Sequence, residues 1–461
     1  MTSEHASWGS RQQEAHRVAT VPAYPSAVTG WWVCLVLSCA YALSFLDRGI
    51  LSVLAAPVEA DLMIGDVKFS LLQGFSFAVF YAVFGLPVAY LVDTRHRGLV
   101  MASGIFVWSI ATILCGLSHS FVQLFLCRIA VGVGEATLLP GATSVLRDCF
   151  SPQKRGLPLA VFATGLFVGS AASGFLVSIV TRYAQDLFAW IPVVGAWHPW
   201  RLTLVLAGAA GLPTAVVVAF IRVRRGTAVA RNTHLLDLAP LIALYREKTA
   251  LLSLHHVGFT ALCFASYALS AWLPLIFVRQ YGWSLVHVGQ TMGLLTLVVG
   301  PAGSLTGGFL ADFYARRGIA GGKMRVGLIA ALGMGVSGVA LSVVSDSVSS
   351  IVVCTVFFFF SCFVWGLAPG FLQEIVPPAI LGRVTALYTA IVNLVAMSLG
   401  PLSSAVLAQH FSGSNALSCG SAIVAAVGSV LAALLFWYAV HTLAPSQQQG
   451  TSEPLGMASD R

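Results

Sequence analysis

Residues 31–57 read WWVCLVLSCAYALSFLDRGILSVLAAP, an apolar run interrupted by small polar residues and by one adjacent pair of charges, Asp47 and Arg48. About 20 such residues cross the hydrocarbon core of a bilayer. A charge at the middle of a spanning helix costs about 2.5–3.5 kcal/mol on insertion scales. Two charges side by side persist there only if they face a protein interior, a partner charge or a water-filled path. The run therefore predicts a membrane span, with Asp47 and Arg48 as its first functional candidates.

The composition agrees. Of 461 residues, 57% are hydrophobic and 9% charged, whereas soluble domains carry about 25% charged residues. The 44 glycines suit close helix packing in lipid, where small residues let backbones approach. The net charge of +8 is scattered over short stretches between apolar runs, which argues against nucleic-acid binding. The nine cysteines contain no C-x-x-C spacing and lie mostly inside apolar runs, where cysteine acts as a small hydrophobe. Neither a disulfide framework nor a metal site is expected. His255 and His256 are adjacent, so on a helix they point about 100° apart and do not share a ligand. Nucleophile constellations, metal clusters and nucleotide loops are missing from the sequence, which predicts no enzyme and no cofactor.

Apolar segments of spanning length recur twelve times, at 31–57, 68–92, 98–117, 121–146, 157–181, 201–221, 250–278, 285–311, 324–344, 348–371, 380–408 and 416–441. The predicted fold class is an all-α membrane protein of twelve transmembrane helices in two six-helix halves. Residues 1–30 read as a polar tail, too long for the lead of a signal peptide, and 31–221 as the N-terminal half. Residues 222–249 read as a central loop, 250–441 as the C-terminal half and 442–461 as a tail rich in Gln and Ser, expected to be disordered. Trp190, Trp197 and Trp200 mark an aromatic interfacial loop at 182–200. In the central loop Leu235, Leu238, Leu241, Ile242 and Tyr245 fall at helical spacing, which suits either an amphipathic helix on the inner leaflet or a simple tether.

Lysine and arginine set the orientation. With the N-terminus inside, inner segments hold 19 of the 25 and outer segments 4, the last two being Arg48 and Arg128 within spans. That split is a positive-inside signal. It predicts cytoplasmic termini in a multi-pass protein of a bacterial plasma membrane.

Span eight ends in Gly308-Phe309-Leu310-Ala311-Asp312-Phe313-Tyr314-Ala315-Arg316-Arg317. Span two ends, at the matching place in its half, in Ala89-Tyr90-Leu91-Val92-Asp93-Thr94-Arg95-His96-Arg97-Gly98. The second copy resembles in full the G-x-L-[AG]-D-x-x-x-[RK]-[RK] signature of the major facilitator superfamily. The first departs from it at Ala89 and Gly98, and also at Val92, and keeps Asp93 and Arg97. The resemblance implies two pseudo-symmetric halves that open a central site to each side in turn. An aspartate near a membrane face can stabilise a helix N-terminus or pair with an arginine on a neighbouring span. A contact present in one transport state only acts as a latch. Asp93, Arg97, Gly308, Asp312, Arg316 and Arg317 are therefore gating candidates. Asp148 and Arg155 after span four, and Glu374 and Arg383 after span ten, resemble the family's inner-loop gate partners.

Span four reads Arg128-Ile-Ala-Val-Gly132-Val-Gly134-Glu135-Ala136. Arg128 and Glu135 are seven residues apart, hence on one helix face about 10 Å apart. Counted from the inner face, Asp47 stands at about 24 Å, Arg128 at about 27 Å and Glu135 at about 16 Å. Two acids and two bases sum to no net charge, as an apolar surround requires. The Asp-Arg pair and the R-x-x-x-G-x-G-E-A string resemble the spinster branch of the superfamily, and similar strings occur in its anion:cation symporters. The first resemblance implies a proton-linked or facilitative transporter of sphingolipids or lysophospholipids, the second an organic-anion symporter. Both imply that Asp47 and Glu135 are protonation sites with Arg48 and Arg128 as charge partners, the proton being the coupling ion. A static ion-pair network tying spans one and four together is the competing structural reading. Tyr41, Phe45, Tyr81, Tyr267, Trp272, Trp365 and Asn393 lie mid-span and are cavity candidates, although packing explains each as well. The expected partners are a small-molecule or lipid-like substrate and the membrane lipids, with the chain acting as a monomer. A non-transporting sensor of the same fold is the remaining alternative, disfavoured by two latch motifs.

The charge split makes the topology testable. Reporter fusions after Val100, Ala230 and Ala320 should read cytoplasmic, and a fusion after Trp190 external. A cytoplasmic signal at Trp190 would overturn the span count of the first half.

Overall fold

The computed structural model describes residues 24–188, 197–223, 239–378 and 380–442. All regular structure among them is helical, and twelve helical segments are long and apolar enough to cross a membrane. They run Ala27–Val53, Asp66–Gly85, Arg97–Gly116, Phe121–Cys149, Gly156–Tyr183 and Pro199–Ala219 in the first half. The second half holds Thr249–Tyr281, Leu285–Arg316, Gly322–Val343, Ser347–Ile375, Leu381–Ala408 and Ala416–Thr442. They are numbered spans 1 to 12. The face carrying Ser26 and Thr442 is here the terminal face, and the other the far face.

Three boundaries differ from the sequence reading for physical reasons. The first apolar run is two helices: span 1 stops at Val53, and a separate short helix, Ala55–Leu62, follows it across the far face. Span 8 does not end near Ala311 but continues as one helix through Arg316, carrying Asp312 with it. The second half of the central loop forms a helix, Ala239–Glu247, with Leu244 buried and Tyr245 bonded to His256 of span 7 at 2.9 Å. This piece is docked on the second half; Leu235 and Leu238 lie outside the described residues. So do residues 1–23, the stretch 189–196 with Trp190, residues 224–238 and the tail after Thr442.

Several spans are interrupted within the apolar zone. Span 4 breaks after Glu135, span 7 after Ser270 and span 10 after Ser361, while spans 2 and 11 each carry a π-helical segment, Leu71–Phe75 and Val392–Met397. In lipid, broken backbone survives only where the protein satisfies the freed groups. Here it does. Thr137 Oγ1 donates to Gly134 O at 2.9 Å in span 4, and Gln73 Nε2 of span 2 donates to Ala271 O in the break of span 7 at 2.9 Å.

The two halves meet along spans 5 and 8 and along spans 2 and 11. The approach is backbone to backbone. A Cβ on Gly174 would stand 2.4 Å from Gly289 O, and one on Gly289 2.4 Å from Gly174 O, so neither position has room for a side chain. The same holds at the π segments, where a Cβ on Gly74 would lie 2.3 Å from Met397 O. Toward the far face the halves stay in contact through Ala55–Leu62 and Leu273–Tyr281 and through Asp66–Ser70 and Ser398–Ala408. Toward the terminal face, Ser76–Thr94 and Leu381–Ile391 share no packed interface. Among the described residues, the halves are closed at the far face and parted at the terminal face.

Candidate functional site: a buried charge network on spans 1 and 4

Span 1 is helical through its charges, so Ser44, Asp47 and Arg48 fall on neighbouring positions three and four apart and face the same neighbours. Arg48 Nε donates to Glu135 Oε2 at 2.7 Å, and Ser44 Oγ donates to the same oxygen at 2.5 Å. Glu135 ends the first helix of span 4, with its side chain fully enclosed, while the Arg48 side chain keeps 20% of its surface exposed. The Arg48 guanidinium stands 4.8, 4.6 and 5.2 Å from the ring centres of Phe45, Phe77 and Tyr81. Such contacts stabilise a cation where water is scarce.

Asp47 is held differently. It is buried, its Oδ2 accepts from Thr112 Oγ1 of span 3 at 2.9 Å, and its Oδ1 has no hydrogen-bond partner. Arg128 is equally buried; its Nε and Nη2 have none either, and Phe77 lies 5.6 Å from its guanidinium carbon. Glu135 Oε1 is the fourth unpaired position. The four charges therefore share one site but form one closed ion pair. The helix count puts Glu135 about 8 Å below Asp47, and the long Arg48 side chain crosses that step. Two hydroxyls complete the site and were not singled out from the sequence. Ser44 had a usable signal, sitting one turn before Arg48; nothing local marks Thr112.

The cavity candidates divide. Tyr41 stacks on Phe162 at 4.4 Å and meets Phe45 edge-on at 5.0 Å, and Tyr81 stacks on Phe77 at 5.5 Å, so these rings line the approach to Arg48. Tyr267 is half-buried on span 7 and Trp365 exposed on span 10. Trp272 is a packing residue: it is fully buried, donates from Nε1 to Pro401 O at 3.0 Å and packs on Phe69 of the opposite half. Asn393 is buried in the π segment of span 11, its carbonyl accepting from Ser398 Oγ at 3.1 Å.

The gating candidates also divide. Arg97 is buried and donates from Nη1 to Asp148 Oδ2 at 2.5 Å and from Nη2 to Val223 O at 3.1 Å. Arg155 turns instead to Phe150 O at 2.8 Å. Asp93 lies in the last turn of Ser76–Thr94, and its side chain is outside the described ones. In the second half Glu374 pairs with Lys323, which also donates to Gly370 O at 3.1 Å. Lys323 was missed, yet it opens span 9 as Arg97 opens span 3, so pseudo-symmetry alone points to it. Both pairs stay inside one half. Asp312, Arg316 and Arg317 are exposed on the projecting end of span 8. Arg317 stacks over Phe313 at 4.2 Å, the Arg316 guanidinium stands 6.0 Å from the Phe309 ring centre while its Nε donates to Asp312 O at 3.4 Å, and Gly308 has open space beside it. Arg383 sits in the first turn of Leu381–Ile391.

Comparison with known proteins gives the chain a family. A model described as Major Facilitator Superfamily matches residues 37–401. The chain is 32% identical over 288 residues to an MFS-type efflux pump of Mycolicibacterium smegmatis, covering 62% of this chain and 63% of that one. It is 28% identical over 295 residues to a probable L-galactonate transporter of Escherichia coli, covering 63% of each. The chain thus spans a little under two thirds of the length of these relatives. In fold it is similar to the crystal structure of a bacterial homolog of the human lysosomal transporter Spinster in an inward-facing, unoccupied conformation. There the TM-score is 0.78 at 22% identity, over 91% of this chain and 98% of that one. The chain belongs to the Major Facilitator Superfamily and is an integral multi-pass membrane protein.

The closed pair has a measurable signature. Arg48→Ala strands Glu135 in an enclosed site, and removing one partner of a buried pair costs about 3–5 kcal/mol. Arg48→Ala should therefore lower the thermal midpoint of the purified protein markedly, and adding Glu135→Gln should recover most of the loss. Additive losses in the double variant would show that the two side chains do not stabilise one another.

Proposed function

We propose that this member of the superfamily is a proton-coupled secondary transporter of an amphipathic, lipid-like organic substrate bearing an anionic group, working by alternating access. The observation that carries the reading is the exposed edge of Arg48. Its guanidinium is engaged with an enclosed carboxylate on one side and ringed by Phe45, Phe77 and Tyr81 on the other. Protonation of Glu135 removes the charge that holds Arg48. The guanidinium is then free for an anionic headgroup, while the aromatic rings accept the apolar part of the same molecule. Asp47, with Oδ1 unpartnered, and Arg128, with two nitrogens unpartnered, form a second incomplete pairing that takes up or releases a proton as spans 1 and 4 shift.

The 19 to 4 distribution of Lys and Arg supports a cytoplasmic terminal face, so the state described here opens inward. The domain reading follows: a cytoplasmic tail to residue 30, halves at 31–221 and 250–441 joined by a cytoplasmic loop, and a cytoplasmic tail from 442, in a bacterial plasma membrane. The protein works as a monomer with the proton as its coupling ion and no other cofactor. Asp93 and Asp312, with Arg97, Arg316, Arg317 and the inner-loop residues Asp148, Arg155, Glu374 and Arg383, form the inner gate that closes in the opposite state. A second reading, symport of a small organic anion, is favoured by the two unpartnered nitrogens of Arg128 and by the similarity to the probable L-galactonate transporter of E. coli.

Thermal unfolding of the purified protein against lysolipids, sphingoid bases and small organic acids tests the substrate class. An anionic amphiphile should raise the midpoint, and an inward proton gradient should drive its uptake into proteoliposomes. Glu135→Gln should keep the binding shift and lose the gradient dependence. Stabilisation by small organic acids alone would favour the second reading; no stabilisation by any class and no uptake would overturn both.

A further inference from the structure

The charges of spans 1 and 4 are not the only titratable groups enclosed in the protein. His255 and His256 stand in the second turn of span 7, in the other half, and both are buried. Adjacent residues leave a helix about 100° apart, yet the two rings turn toward each other and bring their Nδ1 atoms to 3.3 Å. His255 Nε2 lies 2.9 Å from Ala368 O of span 10. His256 Nδ1 lies 2.8 Å from Leu252 O, one turn back on its own helix. His256 Nε2 lies 2.9 Å from the hydroxyl of Tyr245, on the helix Ala239–Glu247.

Those partners fix where the hydrogens sit. A carbonyl only accepts, so His255 carries its hydrogen on Nε2 and His256 on Nδ1. The other two nitrogens are then acceptors. His255 Nδ1 faces the Nδ1–H of His256, and His256 Nε2 receives the Tyr245 hydroxyl. Every polar atom of the pair is matched while both rings are neutral. An added proton has two open seats. On His255 Nδ1 it would stand against the N–H of His256 across 3.3 Å. The remaining seat is His256 Nε2, where the Tyr245 oxygen can accept, but the ring would then be an enclosed cation without a counter-charge. The titratable groups in contact with it are His255, Tyr245 and Tyr388 of span 11, whose ring centre is 5.7 Å away. Charges on the neighbouring elements turn elsewhere: Lys248 donates to Ile375 O at 2.9 Å, Lys323 pairs with Glu374, and Arg246 and Glu247 are exposed. Among the described residues, the one histidine beside a carboxylate is His198.

We infer that His256 is a second proton-binding site, apart from the charge network of spans 1 and 4, and that the helix Ala239–Glu247 is its cover, docked on the neutral ring and displaced from the protonated one. An uncompensated charge is costly to enclose, and water reaches Nε2 once Tyr245 leaves it. A proton therefore favours the undocked form, so docking is complete while His256 is neutral and is lost as pH falls. His255 stays neutral throughout. It is boxed by Phe259, Phe371 and Tyr388, with ring centres 5.0, 5.7 and 4.9 Å away, and it ties His256 to span 10. The cover helix belongs to the segment that joins the two halves, so undocking adds its nine residues to the tether between them. Protons arriving from the terminal face thereby loosen the link between the halves on the side where they part.

Two measurements test this. Long-range proton–nitrogen NMR spectra of protein carrying isotope-labelled histidine read the tautomers directly, with His255→Gln and His256→Gln assigning the signals. In mild base His256 should carry its hydrogen on Nδ1 and His255 on Nε2, and on acidification His256 should gain the second proton first. A parent with the His256 hydrogen on Nε2, or with His255 charging first, overturns the inference before any variant is made. A spin label at Arg246→Cys, in a cysteine-reduced background reconstituted in lipid, reads docking of the helix. Its mobile fraction should rise about tenfold between about pH 8 and about pH 5. Tyr245→Phe should be mobile at both ends of that range while His256 keeps its tautomer, because Leu252 O still holds it. His256→Gln should make the mobility independent of pH. The response should persist in Asp47→Asn with Glu135→Gln, which separates this site from the charge network. A helix equally ordered at every pH, a response that survives His256→Gln, or one that vanishes with the Asp47 and Glu135 substitutions would each overturn it.

Discussion

A charge enclosed in a lipid-solvated fold must find its compensation inside the fold, and the Arg48–Glu135 pair is where this protein meets that demand most completely. The pair joins span 1 to span 4 across 2.7 Å, with Ser44 sharing the carboxylate. Much else is arranged to admit it. Span 4 stops being a regular helix directly after Glu135, and Thr137 recovers one of the carbonyls that the break frees. Gly134 and Gly104 let spans 3 and 4 lie backbone to backbone, and Thr112 of span 3 donates to Asp47 of span 1. The aromatic rings around Arg48 occupy the side that the carboxylate does not. A guanidinium so placed is neither fully buried nor free.

The ion pairs of the protein also describe its state. Those at the terminal face, Arg97 with Asp148 and Lys323 with Glu374, each brace a single half. Those at the far face that involve Arg279 cross from one half to the other. In the proposed alternating-access cycle, units braced internally at one face and clasped together at the other rock about the seam between them. The seam is lined by glycines at Gly74, Gly174 and Gly289, where no side chain interrupts the contact. Bonds that brace a half survive the rocking motion, and bonds that cross the seam do not. Asp312 lies exposed on the end of span 8.

The fold was legible in the sequence because lipid removes alternatives. Spanning length, the repeat of Asp93 and Asp312 at matching places and the skew of Lys and Arg each report on the same architecture. The four central charges were legible for the same reason, since nothing cheap keeps Asp47, Arg48, Arg128 and Glu135 in apolar runs. Their pairing was not. Helix arithmetic gives heights along an axis, but whether Arg48 reaches Glu135 or Asp47 turns to Thr112 depends on helix rotation and side-chain length. Lys323 and Arg279 were overlooked for another reason: each reads as an ordinary loop cation until its partner, distant in sequence, is brought beside it. Trp272 is the opposite case: packing and cavity lining read alike from a mid-span tryptophan, and the bond from its ring nitrogen to Pro401 O is what shows the packing.

The central claim is that the carboxylates of the charge network couple protonation to the balance between inward- and outward-open states, since groups bound differently by protons in two states make their ratio pH-dependent. Distances between spin-labelled span ends across pH 4–9, measured for the parent and for Asp47→Asn with Glu135→Gln, test it directly. The account predicts a pH-dependent shift in the parent and a flat profile in the double variant. A double variant that keeps the parent's full pH response would place the proton site elsewhere and reduce the four charges to a structural tie.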